Sequence, residues 1–233
     1  MKKVVFPFLG ILALGLSGCI DNGDKVNVSS YVEVAIVEEF DMTAGGQPAL
    51  ITPNGKVIVP ELRSALSSNL LYDGAAVLAY FSIYENRQVS TNYTIASNVD
   101  YQIINQVKAY ATSGGESIAG DFDVKIEKIN EAVGFSIGDY KAFIFIAFVH
   151  EAPTDQKFDY EMTYDLADTD VIYVRAKKNG SGTNNSSTFA YLYAFDVSDF
   201  IALQGENKGT FKIKYKTGEE DGKDVYGEYN PPY

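Results

Sequence analysis

The sequence contains no tryptophan, one cysteine and one histidine. A single cysteine cannot close an intramolecular disulfide, and a single histidine cannot supply the clustered imidazoles on which most zinc and copper sites rest. Cations are scarce as well: 19 Lys and Arg stand against 31 Asp and Glu, a net charge of −12 over 233 residues. Nucleic-acid binding takes most of its affinity from Lys and Arg on phosphates, so no nucleic-acid partner is expected. What the chain does have is core material. It is 46% hydrophobic, with 17 Tyr and 14 Phe, which fits one large or two small globular domains and excludes disorder throughout.

Long apolar runs are also missing. The longest, Val4 to Leu16, follows Lys2 and Lys3, is interrupted by Pro7, and is too short to span a bilayer as a stable helix. Basic start, apolar core and small-residue end make it a signal peptide over 1–18. Leu16-Ser17-Gly18-Cys19 resembles the bacterial lipobox, in which the cysteine becomes the lipidated first residue of the mature protein. Cys19 is therefore the expected lipidation site, and its acyl chains the expected membrane anchor. Loss of Lys2 and Lys3 leaves 17 basic residues facing 31 acidic ones. Residues 19–30 read as the lipidated cysteine and a polar tether, which places the body in the cell envelope, held at the outer membrane and facing periplasm or medium.

From Tyr31 onward the period is two. Val32, Val34 and Ile36 alternate with Tyr31, Glu33 and Ala35. Turn signals at Gly45-Gly46, Pro53-Asn54-Gly55 and Asp73-Gly74 separate short extended pieces, and a helical turn or two is expected after Pro60. Further strands are expected over Ala75 to Tyr84, Tyr93 to Ala96 and Tyr101 to Ala111. About five strands with one short helix are the content of an OB-like barrel, assigned to 31–112. Thr112-Ser113-Gly114-Gly115 marks the seam.

Residues 113–233 read as an antiparallel β-sandwich. Phe122, Val124 and Ile126, and later Phe211, Ile213 and Tyr215, alternate with charged residues, as half-buried strands do. Ala142 to Val149 is apolar at every position and requires a strand covered on both faces. The row Phe189, Tyr191, Tyr193, Phe195 reads first as inter-sheet core. Asn179 to Ser187, rich in Gly, Ser and Asn, reads as the most mobile loop of the body, and Ser198 as the cap of a short helix. The fold class is all-β: a small OB-like barrel followed by a sandwich.

Taken together, the lipobox, the opening strand Tyr31 to Val37, the Asp73-Gly74 turn leading into Val77-Leu78-Ala79-Tyr80, and Ala194-Phe195-Asp196-Val197-Ser198 resemble the NigD-like lipoproteins of the Bacteroidetes. The resemblance implies an N-terminal OB-like domain and a C-terminal sandwich. It also implies an association with a bacteriocin gene cluster, without implying an activity or a set of catalytic residues.

Candidates for chemistry are few. His150, beside Glu151, is the only imidazole a Ser-His-Asp triad could use, and no Gly-x-Ser-x-Gly elbow accompanies it. Asp121 with Asp123, and Glu219, Glu220 and Asp221, fall in turn or strand-end contexts where solvated charge is the ordinary role. Asp165, Asp168 and Asp170 could offer oxygen ligands to Ca²⁺ but lack the EF-hand glycine and distal glutamate. No metal and no cofactor are expected. The leading expectation is a non-enzymatic lipid-anchored binding or assembly module whose partner is an envelope protein or a glycan. Tyr80, Tyr84, Tyr191 and Tyr193 are candidate stacking rings, provided they are exposed. The alternatives are a glycan-acting hydrolase using paired carboxylates and a bacteriocin-associated immunity or inhibitor protein with an exposed apolar patch.

Overall fold

The structure is a computed structural model and describes residues 28–40, 46–66, 71–84, 92–138, 141–205 and 210–231. Signal peptide and Cys19 lie outside the described residues. The chain divides into two units that meet between Ile104 and Asn105.

The first unit is a closed barrel of β1 (Val28–Phe40), β2 (Gln47–Ile51), β3 (Val57–Pro60), β4 (Ala76–Tyr84) and β5 (Thr94–Ile103), in the order β1-β2-β3-β5-β4. Closure depends on the length of β1. Its residues Val28 to Ile36 pair with β4 and Ile36 to Phe40 pair with β2, so one strand belongs to both halves of the wall. Ala35, Val37, Leu50, Ile58, Val77, Ala79, Phe81 and Ala96 fill the interior. A 3-10 turn at Arg63–Leu66 stands between β3 and β4 and buries Leu66 against this core. At the Asp73-Gly74 turn, Gly74 has φ +89° and donates its N–H to Val37 O at 2.7 Å, while Asp73 Oδ1 accepts the Glu39 N–H at 3.1 Å. Only a residue without Cβ adopts that φ freely.

Val28 to Ser30, expected in the tether, are the first three residues of β1, paired with Tyr84 to Ser82. Their polarity is compatible with a strand end as well as with a linker.

The second unit is a sandwich. One sheet orders β14 (Lys223–Tyr229), β13 (Lys212–Glu220), β11 (Asp168–Asn179), β10 (Lys157–Asp165) and β7 (Tyr110–Ala111). The other orders β6 (Asn105–Lys108), β12 (Ser186–Asp196), β9 (Lys141–Pro153) and β8 (Lys128–Ile137). Most pairings are antiparallel, but β6–β12, β7–β10 and β11–β13 are parallel. The two sheets face each other through Ile144, Ile146 and Phe148 on one side and Tyr160, Met162, Ile172 and Val174 on the other. As its composition requires, β9 lies inside its sheet and is buried on both faces, with Phe143 and Phe145 forming an outer aromatic layer beside Phe135.

The seam expected at 112/113 is displaced. Residues 105–111 belong to the sandwich, because β6 bonds to Tyr193–Asp196 and β7 to Thr163–Tyr164. Nothing in their composition marks the change, since a strand's alternation reports which face is wet and not which strand lies beside it. Ser113 to Glu127 form instead a strap on the five-stranded sheet. Phe122, Val124 and Ile126, expected in a regular strand, make a single bridge at Val124–Ala176 and one further bond from Ile126 N–H to Lys216 O at 2.8 Å.

A short helix, α1 (Ser198–Leu203), follows β12. Its N-cap is Val197, which makes no side-chain cap bond, and the preceding Asp196 Oδ1 takes Ser198 N–H at 3.0 Å and Ser198 Oγ–H at 2.5 Å. Ser198, expected to be the cap, instead accepts Ala142 N–H at 3.0 Å and fastens the helix to β9.

Candidate functional site

Alternation along β9 points His150 inward, behind Ile146 and Phe148. The ring is 2% exposed and stacks on Phe158 at 4.1 Å and 11°. Its Nδ1 lies 3.0 Å from Lys125 O, and its Nε2 lies 2.8 Å from the Tyr160 hydroxyl. A carbonyl only accepts, so the proton sits on Nδ1 and the Tyr160 O–H donates to the bare Nε2. The imidazole is thus neutral and held in one tautomer. Burial lowers its pKa to about 4, against the opposing effects of the Lys125 carbonyl bond and the Glu127 charge. Burial also pushes the Tyr160 hydroxyl well above the ordinary tyrosine range.

Two further tyrosines from β12 complete this aromatic cluster. The Tyr193 hydroxyl donates to Phe158 O at 2.7 Å and accepts from Asn105 Nδ2 at 3.1 Å. Tyr191 donates to Gln156 O. Burial raises both, Tyr191 to about 12. Before Thr163, β10 has a strand neighbour on one side only, because β7 reaches just Thr163 and Tyr164. The Tyr193 hydroxyl therefore occupies an acceptor on the half-paired start of β10, and the Tyr191 hydroxyl one on the residue just before it, which protects this edge from foreign strands.

Above this cluster the cleft opens into a depression of about 410 Å³ lined by Asp123, Lys125, Glu127, His150, Glu151 and Phe158 among others. Glu127 is paired with Lys125 at 2.8 Å. Asp121, the sequence neighbour of Asp123, is paired with Lys177 at 3.1 Å. His150 can neither accept another proton near neutrality nor reach a nucleophile without giving up Tyr160. The arrangement is that of a structural imidazole.

The loop expected to be most mobile is tied down. The Asp155 carboxylate accepts Thr183 N–H, Asn184 N–H and Thr183 Oγ–H at 2.9–3.0 Å, and these bonds hold its pKa down to about 2. Gln156 adds a second clamp, donating to Gly180 O at 3.0 Å and accepting Gly182 N–H at 3.0 Å. A Gly- and Asn-rich composition reports a backbone that can bend, not one that lacks partners.

Sequence reasoning missed a buried charge pair on the outer face of the five-stranded sheet. Glu161 and Arg175 are directly opposed on β10 and β11. Arg175 donates to the Tyr226 hydroxyl at 3.0 Å, Thr163 Oγ at 2.9 Å and Gly115 O at 2.8 Å, and stands 3.7 Å from Glu161 Oε1. Glu161 Oε2 takes Ile118 N–H at 3.2 Å, while Oε1 is buried without a hydrogen bond. The strap covers both charges, and Gly115 lies so close to the Tyr173 ring that a Cβ there would sit 2.3 Å from it. Alternation alone marks these positions as solvent-facing, so only the charge complementarity of opposed residues could have signalled the pair.

The four tyrosines singled out as stacking rings divide between the two units. Tyr80 and Tyr84 belong to β4 in the barrel unit and are partly exposed; Tyr80 stands opposite Val32 and Asp100. Tyr191 and Tyr193 belong to the sandwich, and Tyr193 is 7% exposed with its hydroxyl engaged twice. Along the β12 row Tyr193 and Phe195 are core, while Phe189 and Tyr191 are half-buried and packed against it. Asp165 and Asp168 accept the N–H groups of Ala167 and Asp170 within their own turn, at 3.1 and 3.0 Å. No group of three metal-ligating residues occurs among the described residues. Glu219, Glu220 and Asp221 are exposed at the β13–β14 turn. No helix among the described residues is long and apolar enough to cross a membrane.

No family model matches the chain, and no curated protein matches it. Solved structures do. An uncharacterized protein from Parabacteroides merdae superposes with a TM-score of 0.65 at 13% identity, over 84% of this chain and 95% of that one. A protein described as a candidate lipoprotein from Bacteroides fragilis gives 0.51 at 12% identity, over 86% and 96%. A NigD-like immunity protein from Bacteroides caccae gives 0.44 at 14% identity, over 91% and 100%. At these identities the first two establish a shared two-part β architecture and nothing about activity.

Proposed function

We propose that the protein is a non-enzymatic, lipid-anchored lipoprotein of the bacterial envelope, of NigD-like type, that acts as a binding or assembly module. The observation that carries the non-enzymatic part is the commitment of His150: the one imidazole in the chain is buried, neutral and bonded at both nitrogens within the core. Asp155, Asp165 and Asp168 likewise spend their carboxylates on loop and turn N–H groups. The anchor is supported by Lys2-Lys3, the short apolar core and Leu16-Ser17-Gly18-Cys19, and by the description of the Bacteroides fragilis structure as a candidate lipoprotein. The remaining asset is the sandwich scaffold with its 179–187 loop fixed by Asp155 and Gln156, and loops held on a scaffold are what recognition uses.

Two experiments test the reading. Cys19→Ser should move the protein from the membrane to the soluble fraction, still folded; retention in the membrane refutes the anchor. Crosslinking in cells followed by identification of the captured species should yield a discrete protein or glycan. Turnover of a glycan by the purified protein, abolished by substitution of Asp123 or Glu151, would instead establish the hydrolase alternative.

A further inference from the structure

The sandwich has four lateral edges, and they are not protected alike. On β8, the Tyr229 hydroxyl accepts the Ala132 N–H at 3.3 Å. At the start of β10, tyrosine hydroxyls from β12 occupy the carbonyl of Phe158 and that of Gln156, the residue before the strand. Along β14, Lys223, Asp224 and Glu228 supply charge. Natural sheets use such devices to discourage edge-to-edge pairing.

The fourth edge lacks them. β6 pairs with β12 only from Tyr193 to Asp196, so among the described residues Ser186 to Leu192 have a strand neighbour, β9, on one side alone. This seven-residue stretch, Ser-Ser-Thr-Phe-Ala-Tyr-Leu, carries no charge, proline or glycine. Its pairing with β9 runs without a register shift, so no bulge twists it away. Ser186, Ser187 and Thr188 are exposed. Among the described residues of the sandwich, the row of backbone groups that β6 uses below thus continues upward with no further strand beside it.

We infer that the open edge of β12 pairs antiparallel with the same edge of a second copy of this chain, extending the four-stranded sheet across a two-fold axis at Phe189. Self-complementarity selects this occupant. In that register Ser186 faces Leu192, Ser187 faces Tyr191 and Thr188 faces Ala190 of the other copy, so no like charges meet despite the net charge of −12. Phe189 meets its own counterpart, and aromatic cross-strand pairs are among the favourable ones. β14 fails the same comparison: self-pairing about Tyr226 would oppose Asp224 to Glu228 twice. A seven-residue edge covers less than the roughly 1,200 Å² of a stable interface, so the dimer is reversible. The pairing does not depend on the lipid anchor, and its failure would leave the anchor reading untouched.

Sedimentation of the purified full chain between about 10 μM and about 1 mM is the test. The mean mass should rise from one chain toward two. Thr188→Lys places lysines diagonally across the axis and should weaken association about fivefold. Thr188→Glu alone should do the same, and mixing the Lys and Glu variants should restore pairing, a rescue that a folding defect cannot mimic. A single-chain mass at every concentration, or a dimer indifferent to both substitutions, overturns the inference.

Discussion

His150 makes stability depend on pH in a way that one substitution can isolate. Its pKa lies at about 4 in the folded state and at 6.5 when free, so the unfolded chain takes up a proton over a window in which the folded chain does not. A base depressed in this way subtracts stability as pH falls through 6.5 and stops doing so only below about 4. The whole gap corresponds to about 3 kcal/mol, and most of it, about 2 kcal/mol, is lost between pH 7.0 and pH 4.5. The Glu127 charge opposes the shift, and burial outweighs it. Carboxylates elsewhere also titrate in this range, so the comparison is with His150→Gln, which keeps a donor and an acceptor but has no proton to gain. Urea unfolding at the two pH values should show the natural chain losing about 2 kcal/mol more than the variant. Because the chain has a single histidine, its ring gives one assignable pair of carbon-bound proton signals in NMR spectra. Those signals should stay unmoved from pH 8 to pH 5 and carry the nitrogen shifts of the Nδ1–H tautomer. A midpoint near 6.5, or parallel stability profiles for the two proteins, would refute the reasoning.

The buried pair should respond asymmetrically. Arg175→Met leaves Glu161 charged and uncompensated, and should cost about 3–5 kcal/mol in urea unfolding, whereas Arg175→Met with Glu161→Leu should recover most of that loss. Equal costs for the single and double variants would show that Glu161 is not held as an ion. Tyr193→Phe removes a hydroxyl with two partners and should cost about 1–2 kcal/mol, while Tyr80→Phe, on the barrel wall, should stay within about 0.5 kcal/mol. Asp155→Ala should abolish hydrogen-exchange protection of the Thr183 and Asn184 amides. In the natural chain this protection should persist below pH 3.8 and fade only as pH falls toward about 2, because the carboxylate is stabilised in the folded state. Loss of protection already at pH 4 would contradict the three-bond clamp.

Much of the architecture was legible because it depends on single-strand properties. The eight apolar residues Ala142 to Val149 demanded a doubly covered strand, and β9 is one. A run of short strands around a helical turn after Pro60 specified the barrel, and the turn at Arg63–Leu66 fills the expected place. What failed depends on partners. The switch from β5 to β6 takes place within a continuous alternation, and which sheet receives a strand is decided by contacts some 88 residues distant, such as Asn105 with Tyr193. The site was legible in part for the same reason. His150 was visible as a lone imidazole, but its tautomer rests on Lys125 and Tyr160, and the burial of Arg175 rests on a strap whose sequence resembles a linker.

The passage of residues 105–111 from the edge of one sheet to the edge of the other has a consequence for how the molecule comes into being. These two short strands leave the ribosome first among the sandwich elements, yet the segments they bind, Tyr193–Asp196 and Thr163–Tyr164, arrive much later. The barrel, whose pairings all close within the first 104 residues, can be complete while β6 and β7 still wait. Such non-local closure is slow and leaves unpaired backbone exposed meanwhile. Released chains truncated between residues 112 and 160 should therefore carry a finished barrel trailed by a protease-sensitive ribbon.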